Sequence, residues 1–179
     1  MRLRPSFKLT VLTLSHEGAE VPIDIFLRKS FEPLMNILIL EDEPLVALTL
    51  KALLAEAGHI VLGPAISCEQ AIELAEGRRP DVVFTNIHLG LGTDGVACSR
   101  AFLDLGIPAV FVTGSREEAL AAQNVALGYL CKPCDPKGVG AAVSVVEKLL
   151  AGETPQAEVS GFIVFEEGVE KFRERVAGS

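Results

Sequence analysis

Residues 37–44 read Ile-Leu-Ile-Leu-Glu-Asp-Glu-Pro: an apolar run stopped by three acids and a proline. A run without apolar–polar alternation that ends abruptly in charge is the pattern of a strand buried on both faces, as in a parallel sheet. Pro44 stands where the first turn of a helix tolerates a missing N–H. Val46, Leu50, Leu53, Leu54 and Ala57 follow at helical spacing, and Gly58 ends the helix.

The same unit repeats down the chain. His59–Leu62 reads as a second strand closed by Gly63-Pro64, and Cys68–Glu76 as a second helix with Ser67 as its N-cap. Asp81–Asn86 and Gly95–Asp104 make the third strand and helix. Ala109–Thr113 and a helix near Glu117–Ala126 make the fourth pair, Gly128–Leu130 and Pro136–Leu150 the fifth. Five strand–helix units predict an α/β fold over residues 35–150, a doubly wound five-stranded parallel sheet with helices on both faces. Sites in such sheets lie beyond the carboxyl ends of the strands. That rule selects Glu41, Asp42, Asn86, Thr113 and Lys132, each at or just past a strand end.

Composition narrows the function classes. The 179 residues are 49% hydrophobic and 22% charged, which suits a folded chain and argues against disorder. The net charge of −8 disfavours a DNA-binding role, since phosphate neutralisation needs a basic face. Residues 35–150 hold eight basic and fourteen acidic side chains, so most of the surplus lies there, three of the acids together at Glu41–Glu43. No window approaches the roughly 18 consecutive apolar residues of a membrane span. Arg2, Arg4 and Lys8 precede the apolar run Leu9–Leu14, but Thr10 and Thr13 break it and no small-residue cleavage site follows, so no leader is expected. Cys68, Cys98, Cys131 and Cys134 are too few to suggest a disulfide framework, and a reduced, cytoplasmic setting is expected.

The stretches ILILEDEP (37–44), PDVVFTNIHLGLGTDG (80–95), VFVTG (110–114) and GYLCKP (128–133), in that order and spacing, resemble the receiver domain of bacterial two-component response regulators. The phrasing of GPA-x-S at 63–67, NIHLG at 86–90 and GIPAVFVTG at 106–114 is similar to stand-alone receivers paired with HWE-type histidine kinases. The resemblance implies a flavodoxin-like fold and a Mg²⁺ site formed by Glu41, Asp42, residue 86 and the backbone carbonyl of His88. It also implies phosphoryl-binding roles for Thr113 and Lys132, with Pro133 in cis after the lysine, and a switch role for Tyr129. The physical chemistry agrees: clustered carboxylates suit a hard cation, and a lysine and a hydroxyl suit a phosphoryl oxygen.

Residue 86 departs from the family's pattern, because the phosphoacceptor aspartate is replaced by Asn86. A carboxamide has the shape of a carboxylate but is neutral and a poor nucleophile. It forms no acyl phosphate, and the cation site loses a negative ligand. Mg²⁺ is therefore expected to bind weakly. Two explanations stand: a pseudo-receiver that works without phosphorylation, or an Asp→Asn change that locks the unphosphorylated state. The leading reading is a single-domain response regulator that acts by protein contact in a phosphorelay and is not phosphorylated at residue 86. The alternative is a phosphorylation-independent scaffold that binds its partner constitutively. A histidine kinase or phosphotransfer protein is the expected partner, and a homodimer stays open. No enzymatic constellation is visible beyond the receiver set.

The remaining features carry less. Cys131 and Cys134 form a C-x-x-C around Lys132-Pro133, read as two small side chains rather than a redox pair. Residues 1–34 form an N-terminal extension in which Phe7–Leu14 and Val21–Leu27 would pair as a β-hairpin arm. Residues 151–179 read as a linker followed by an amphipathic helix with Phe162, Phe165, Val169, Phe172 and Val176 on one seam. That seam suits packing onto the receiver, dimerisation or partner binding alike. The 29 residues beyond Leu150 are expected to be too few for a DNA-binding or enzymatic output domain, and the resemblance implies that the surface over Glu117–Leu150 makes the output contact.

Overall fold

In the computed structural model the described residues are 34–178, apart from 91, 93, 155–157 and 160. The expected hairpin arm in residues 1–34 lies outside them. The elements are β1 (Asn36–Leu40), α1 (Pro44–Glu56), β2 (Ile60–Ala65), α2 (Cys68–Gly77), β3 (Val82–Asn86), α3 (Gly95–Asp104) and β4 (Ala109–Thr113). Then come α4 (Arg116–Ala121), a 3₁₀ turn (Gln123–Val125), β5 (Gly128–Cys131), α5 (Pro136–Leu150), β6 (Glu158–Val159), β7 (Phe162–Val164) and α6 (Glu166–Ala177).

The α/β reading holds, with one correction to the sheet. Its order is β2-β1-β3-β4-β5-β7-β6, seven strands where five are expected. The first five are the parallel ones. β7 and β6 add antiparallel to β5. The cause is local: Phe162-Ile163-Val164 has apolar and β-branched side chains suited to a strand, and β5 would otherwise present unpaired N–H and C=O groups at a sheet edge. The C-terminal helix is accordingly shorter than the seam implies. Phe162 belongs to β7, Phe165 is the N-cap, and Val176 is exposed.

Alternation across the sheet sorts the helices. Ile37, Ile39, Phe84 and Val110 face α1 and α5, while Leu38, Leu40 and Val83 face α2 and α3. All seven are 0% exposed, as expected for strands covered on both sides. A smaller cluster places Phe111 and Tyr129 against α4, the 3₁₀ turn and Phe165.

Two boundaries and the state of two cysteines differ from the sequence reading. β2 runs past Gly63-Pro64 to Ala65, with a register shift opposite Leu38 and Leu40. Gly63 has φ +86, and a Cβ there would lie 2.9 Å from the Ile39 carbonyl, so only glycine fits. The fourth helix stops at Ala121 and gives way to the 3₁₀ turn. Against the expected reduced cysteines, Cys68 and Cys98 form a disulfide between α2 and α3, at a Cα–Cα distance of 5.6 Å. Thirty residues separate them in sequence, and only the packing of α2 beside α3 brings them together.

Candidate functional site

The turn after β1 carries Glu41 and Asp42, β3 ends on Asn86, β4 ends on Thr113, and Lys132 follows β5. Parallel register places these ends side by side: Asn86 pairs with Val112 and Thr113 with Cys131. The Lys132 N–H donates to the Thr113 carbonyl at 2.9 Å, extending that ladder into the site.

Asn86 is the hub. The two N–H groups of its Nδ2 are shared among three acceptors, Glu41 Oε1 at 3.1 Å, Asp42 Oδ1 at 3.1 Å and the His88 carbonyl at 2.5 Å. The amide nitrogen thus stands at the point where two carboxylates and a carbonyl converge. Lys132 Nζ takes the other oxygen of Glu41 at 2.8 Å and reaches Glu43 Oε1 at 2.9 Å. Asp42 Oδ2 accepts from the Gly90 N–H at 2.8 Å, which ties the β3–α3 loop over the site.

Burial and charge act in opposition here. Burial pushes the Glu41 carboxyl above the usual range, although Lys132 and the Glu43 N–H pull the other way. Partial burial also opposes ionisation of Asp42, but the Gly90 N–H and the Asn86 amide outweigh it and hold that carboxyl low. Burial would lower Lys132, yet its two carboxylate partners raise it above the usual lysine value.

The site gathers some of the expected residues and not others. Glu41, Asp42, Asn86, the His88 carbonyl and Lys132 converge. Thr113 is buried at the rim, and its hydroxyl accepts from the Ser115 N–H at 3.0 Å. The His88 imidazole points away and pairs with Glu118 at 2.7 Å, drawing the Glu118 carboxyl below its usual value. Tyr129 stacks on Phe165, with ring centroids 5.8 Å apart. Sequence reasoning missed Glu43 as a Lys132 partner, Gly90 as the anchor of Asp42, and Phe165 as the partner of Tyr129. Glu43 left a signal as the third acid of the cluster, and Phe165 as part of the apolar C-terminal seam. Asp94 caps α3 by accepting from the Val96 N–H at 2.9 Å. Cys131 and Cys134 are unbonded, and burial pushes the Cys134 thiol up to about 11, which disfavours the thiolate that redox chemistry needs. Among the described residues no group of three or more His, Cys, Asp or Glu side chains is arranged around a metal position.

The family model for the response regulator receiver domain matches residues 37–144. The phyllosphere-induced regulator PhyR of Methylorubrum extorquens is 31% identical over 157 residues, 79% of this chain and 59% of that protein. The positive alginate biosynthesis regulatory protein of Pseudomonas aeruginosa is 38% identical over 104 residues, 55% of this chain and 42% of that protein. The chain thus spans three fifths or less of the length of these curated relatives. Among solved structures, the response regulator PhyR of Brucella abortus superposes with a TM-score of 0.61 at 27% identity, covering 69% of this chain and 52% of that one. A response regulator of Chloroflexus aurantiacus gives 0.58 at 26% identity, covering 64% of this chain and 98% of that one.

Proposed function

The chain belongs to the response regulator receiver domain family, and on that premise we propose that it acts by protein–protein contact in a two-component phosphorelay, with Asn86 in the place of the phosphoacceptor aspartate. The observation that carries this reading is the Asn86 amide, whose nitrogen donates to Glu41, Asp42 and the His88 carbonyl together. A carboxylate in that position would attack a phosphohistidine in line and form an acyl phosphate. The amide does neither, and its nitrogen satisfies acceptors that a cation otherwise serves.

Receiver domains generally bind Mg²⁺ at this acidic site, and the donor set kept here still suits a hard cation. Glu41, Asp42, the His88 carbonyl and, with the amide turned, the Asn86 oxygen would hold it. When bound, the cation supplies charge neutralisation to a phosphoryl group. Asn86 brings no charge and must give up the hydrogen bonds that its two N–H groups share among Glu41, Asp42 and the His88 carbonyl, so Mg²⁺ binds more weakly than with aspartate. Lys132 holds Glu41 and Glu43 in place and offers the cationic contact to an incoming anion, and the Thr113 hydroxyl is the neutral donor beside it.

The partner is a histidine kinase or phosphotransfer protein. In support, α1 exposes Leu45 (80%) and Leu48 (60%), three residues apart, beside a groove of about 150 Å³ lined by Val46, Thr49, Lys132 and Pro133. That face suits a partner's amphipathic helix, next to the site.

The closed hydrogen-bond set at Asn86 also favours a second reading, a phosphorylation-independent scaffold. The two are separated by comparing the chain with Asn86→Asp, using a small phosphodonor and Mg²⁺. If Asn86→Asp alone gains a labile phosphate and changes partner affinity, Asn86 blocks a working switch. No change with Asp leaves the scaffold. Phosphate on the unaltered chain refutes both.

A further inference from the structure

The two joined cysteines lie in different surroundings. Cys68 is half-buried and is the first residue of α2, directly after the N-cap Ser67. The free N–H groups of a helix's first turn favour the thiolate at that position. Cys98 is 1% exposed and shares an apolar cluster with Leu38, Leu40, Leu89 and Phe102. Such surroundings keep a thiol protonated and shielded. An accessible, activated thiol beside a shielded one is the arrangement of a redox-sensing cysteine with its resolving partner. Ala71 and Ala75 of α2 belong to the same cluster as Phe102 of α3, so the two helices stay packed, and the sulfurs within reach, when the bond is open.

α3 begins against the functional site. The Gly95 N–H donates to the Ile87 carbonyl at 2.9 Å, and a Cβ at Gly95 would collide with the Asn86 carbonyl. One turn on, the Cys98 N–H donates to the Asp94 carbonyl at 3.0 Å, and Asp94 bridges His88, whose carbonyl receives the Asn86 amide. We propose that Cys68 and Cys98 form a reversible thiol–disulfide switch, closed by hydroperoxides and opened by thiols, that sets how tightly α3 and Ile87–Gly90 are held against the site. In closing, the Cys68 thiolate attacks a peroxide oxygen. The O–O bond breaks, and the leaving hydroxide takes a proton and departs as water, so Cys68 becomes a sulfenic acid. The Cys98 sulfur then displaces the hydroxyl, gives up its own proton, and a second water leaves as the S–S bond forms. The two sulfurs have passed two electrons to the peroxide. In opening, one reductant thiolate attacks Cys68, and Cys98 leaves and takes a proton. A second reductant thiol then frees Cys68 and forms the reductant's own disulfide. Neither direction uses residue 86.

The test begins with the unaltered chain isolated without reductant. Millimolar reduced glutathione is expected to open the bond in the folded protein with the far-UV signal kept, and equimolar hydrogen peroxide to close it again. Amide exchange at Ile87–Gly90 and in α3 is expected to be about tenfold faster in the open form and to recover on closing. In Cys98→Ser, peroxide with dimedone is expected to mark Cys68, which peptide mass mapping separates from the exposed Cys131. In Cys68→Ser, Cys98 is expected to stay unmarked. A bond that opens only in the unfolded chain overturns the proposal, because it is then a structural staple. Equal exchange at Ile87–Gly90 in the two forms overturns it as well, as does loss of the far-UV signal on opening. These readouts need no substitution, so they decide the matter even where a serine variant fails to fold.

Discussion

The Nδ2 of Asn86 lies 3.1 Å from Glu41 Oε1, while Lys132 occupies the other oxygen of the same carboxylate at 2.8 Å. Glu41 is 1% exposed, so this neutral donor, the Glu43 N–H and one cation are what keep a buried acid tolerable. Asn86→Asp would place a third carboxylate beside Glu41 and Asp42. Without divalent cation it should lower stability by about 1–3 kcal/mol. Millimolar Mg²⁺ should restore most of that loss while barely moving the unaltered chain. Thermal melts with and without Mg²⁺ check this, and equal responses from the two proteins would contradict it.

Lys132 sets an alkaline limit. Its folded value is raised above 10.5 by Glu41 and Glu43. Stability from the raised value is fully present below 10.5 and fades as pH climbs through the folded value. Melting temperature should therefore fall above that pH, and Lys132→Met should flatten the fall while lowering stability at pH 7. Melts between pH 7 and 12 read both effects.

Phe165 holds the Tyr129 ring and is 2% exposed. Phe165→Ala should cost about 3–5 kcal/mol, as for other buried phenylalanines. With no tryptophan in the chain, the loss should also appear as a changed Tyr129 emission maximum or yield. A stable variant with unaltered emission would show that the stack contributes little.

The α1 face should be separable from the fold. Leu45→Glu and Leu48→Glu alter residues that are 80% and 60% exposed, so stability should move by less than about 0.5 kcal/mol. Binding to a histidine kinase or phosphotransfer protein should weaken at least tenfold, by roughly 1.4 kcal/mol. Titration calorimetry against the partner gives the answer.

The Cys68–Cys98 pairing predicts a thiol count. Denatured without reductant, the chain should present the two free thiols of Cys131 and Cys134 to an alkylating reagent, and four after reduction. Reduction should also lower stability by about 3–4 kcal/mol, given the 30-residue separation. Four reactive thiols before reduction would overturn the pairing.

The parallel core was legible because each buried strand is an uninterrupted apolar run bounded by turn residues, as in Ile37–Leu40 and Ala109–Thr113. The convergence of Glu41, Asp42, Asn86 and Lys132 was legible for a related reason, since parallel strands put their carboxyl ends together. The C-terminal strands were not, because Phe162, Phe165, Val169 and Phe172 satisfy a helical spacing that masks the short strand before Glu166. The Gly90 contact and the Cys68–Cys98 bond depend on loop path and helix packing, which no local pattern encodes.

The rims of the seven-stranded sheet have a consequence for behaviour at high concentration. Among the described residues one rim is β6, two residues long, and the other is β2, where Pro64 lacks an N–H and Gly63 turns the backbone. Neither offers the long, flat row of backbone groups on which identical strands stack into fibrils. A concentrated solution of the native protein should therefore resist seeding of cross-β growth, even though nearly every strand at its centre is fully apolar.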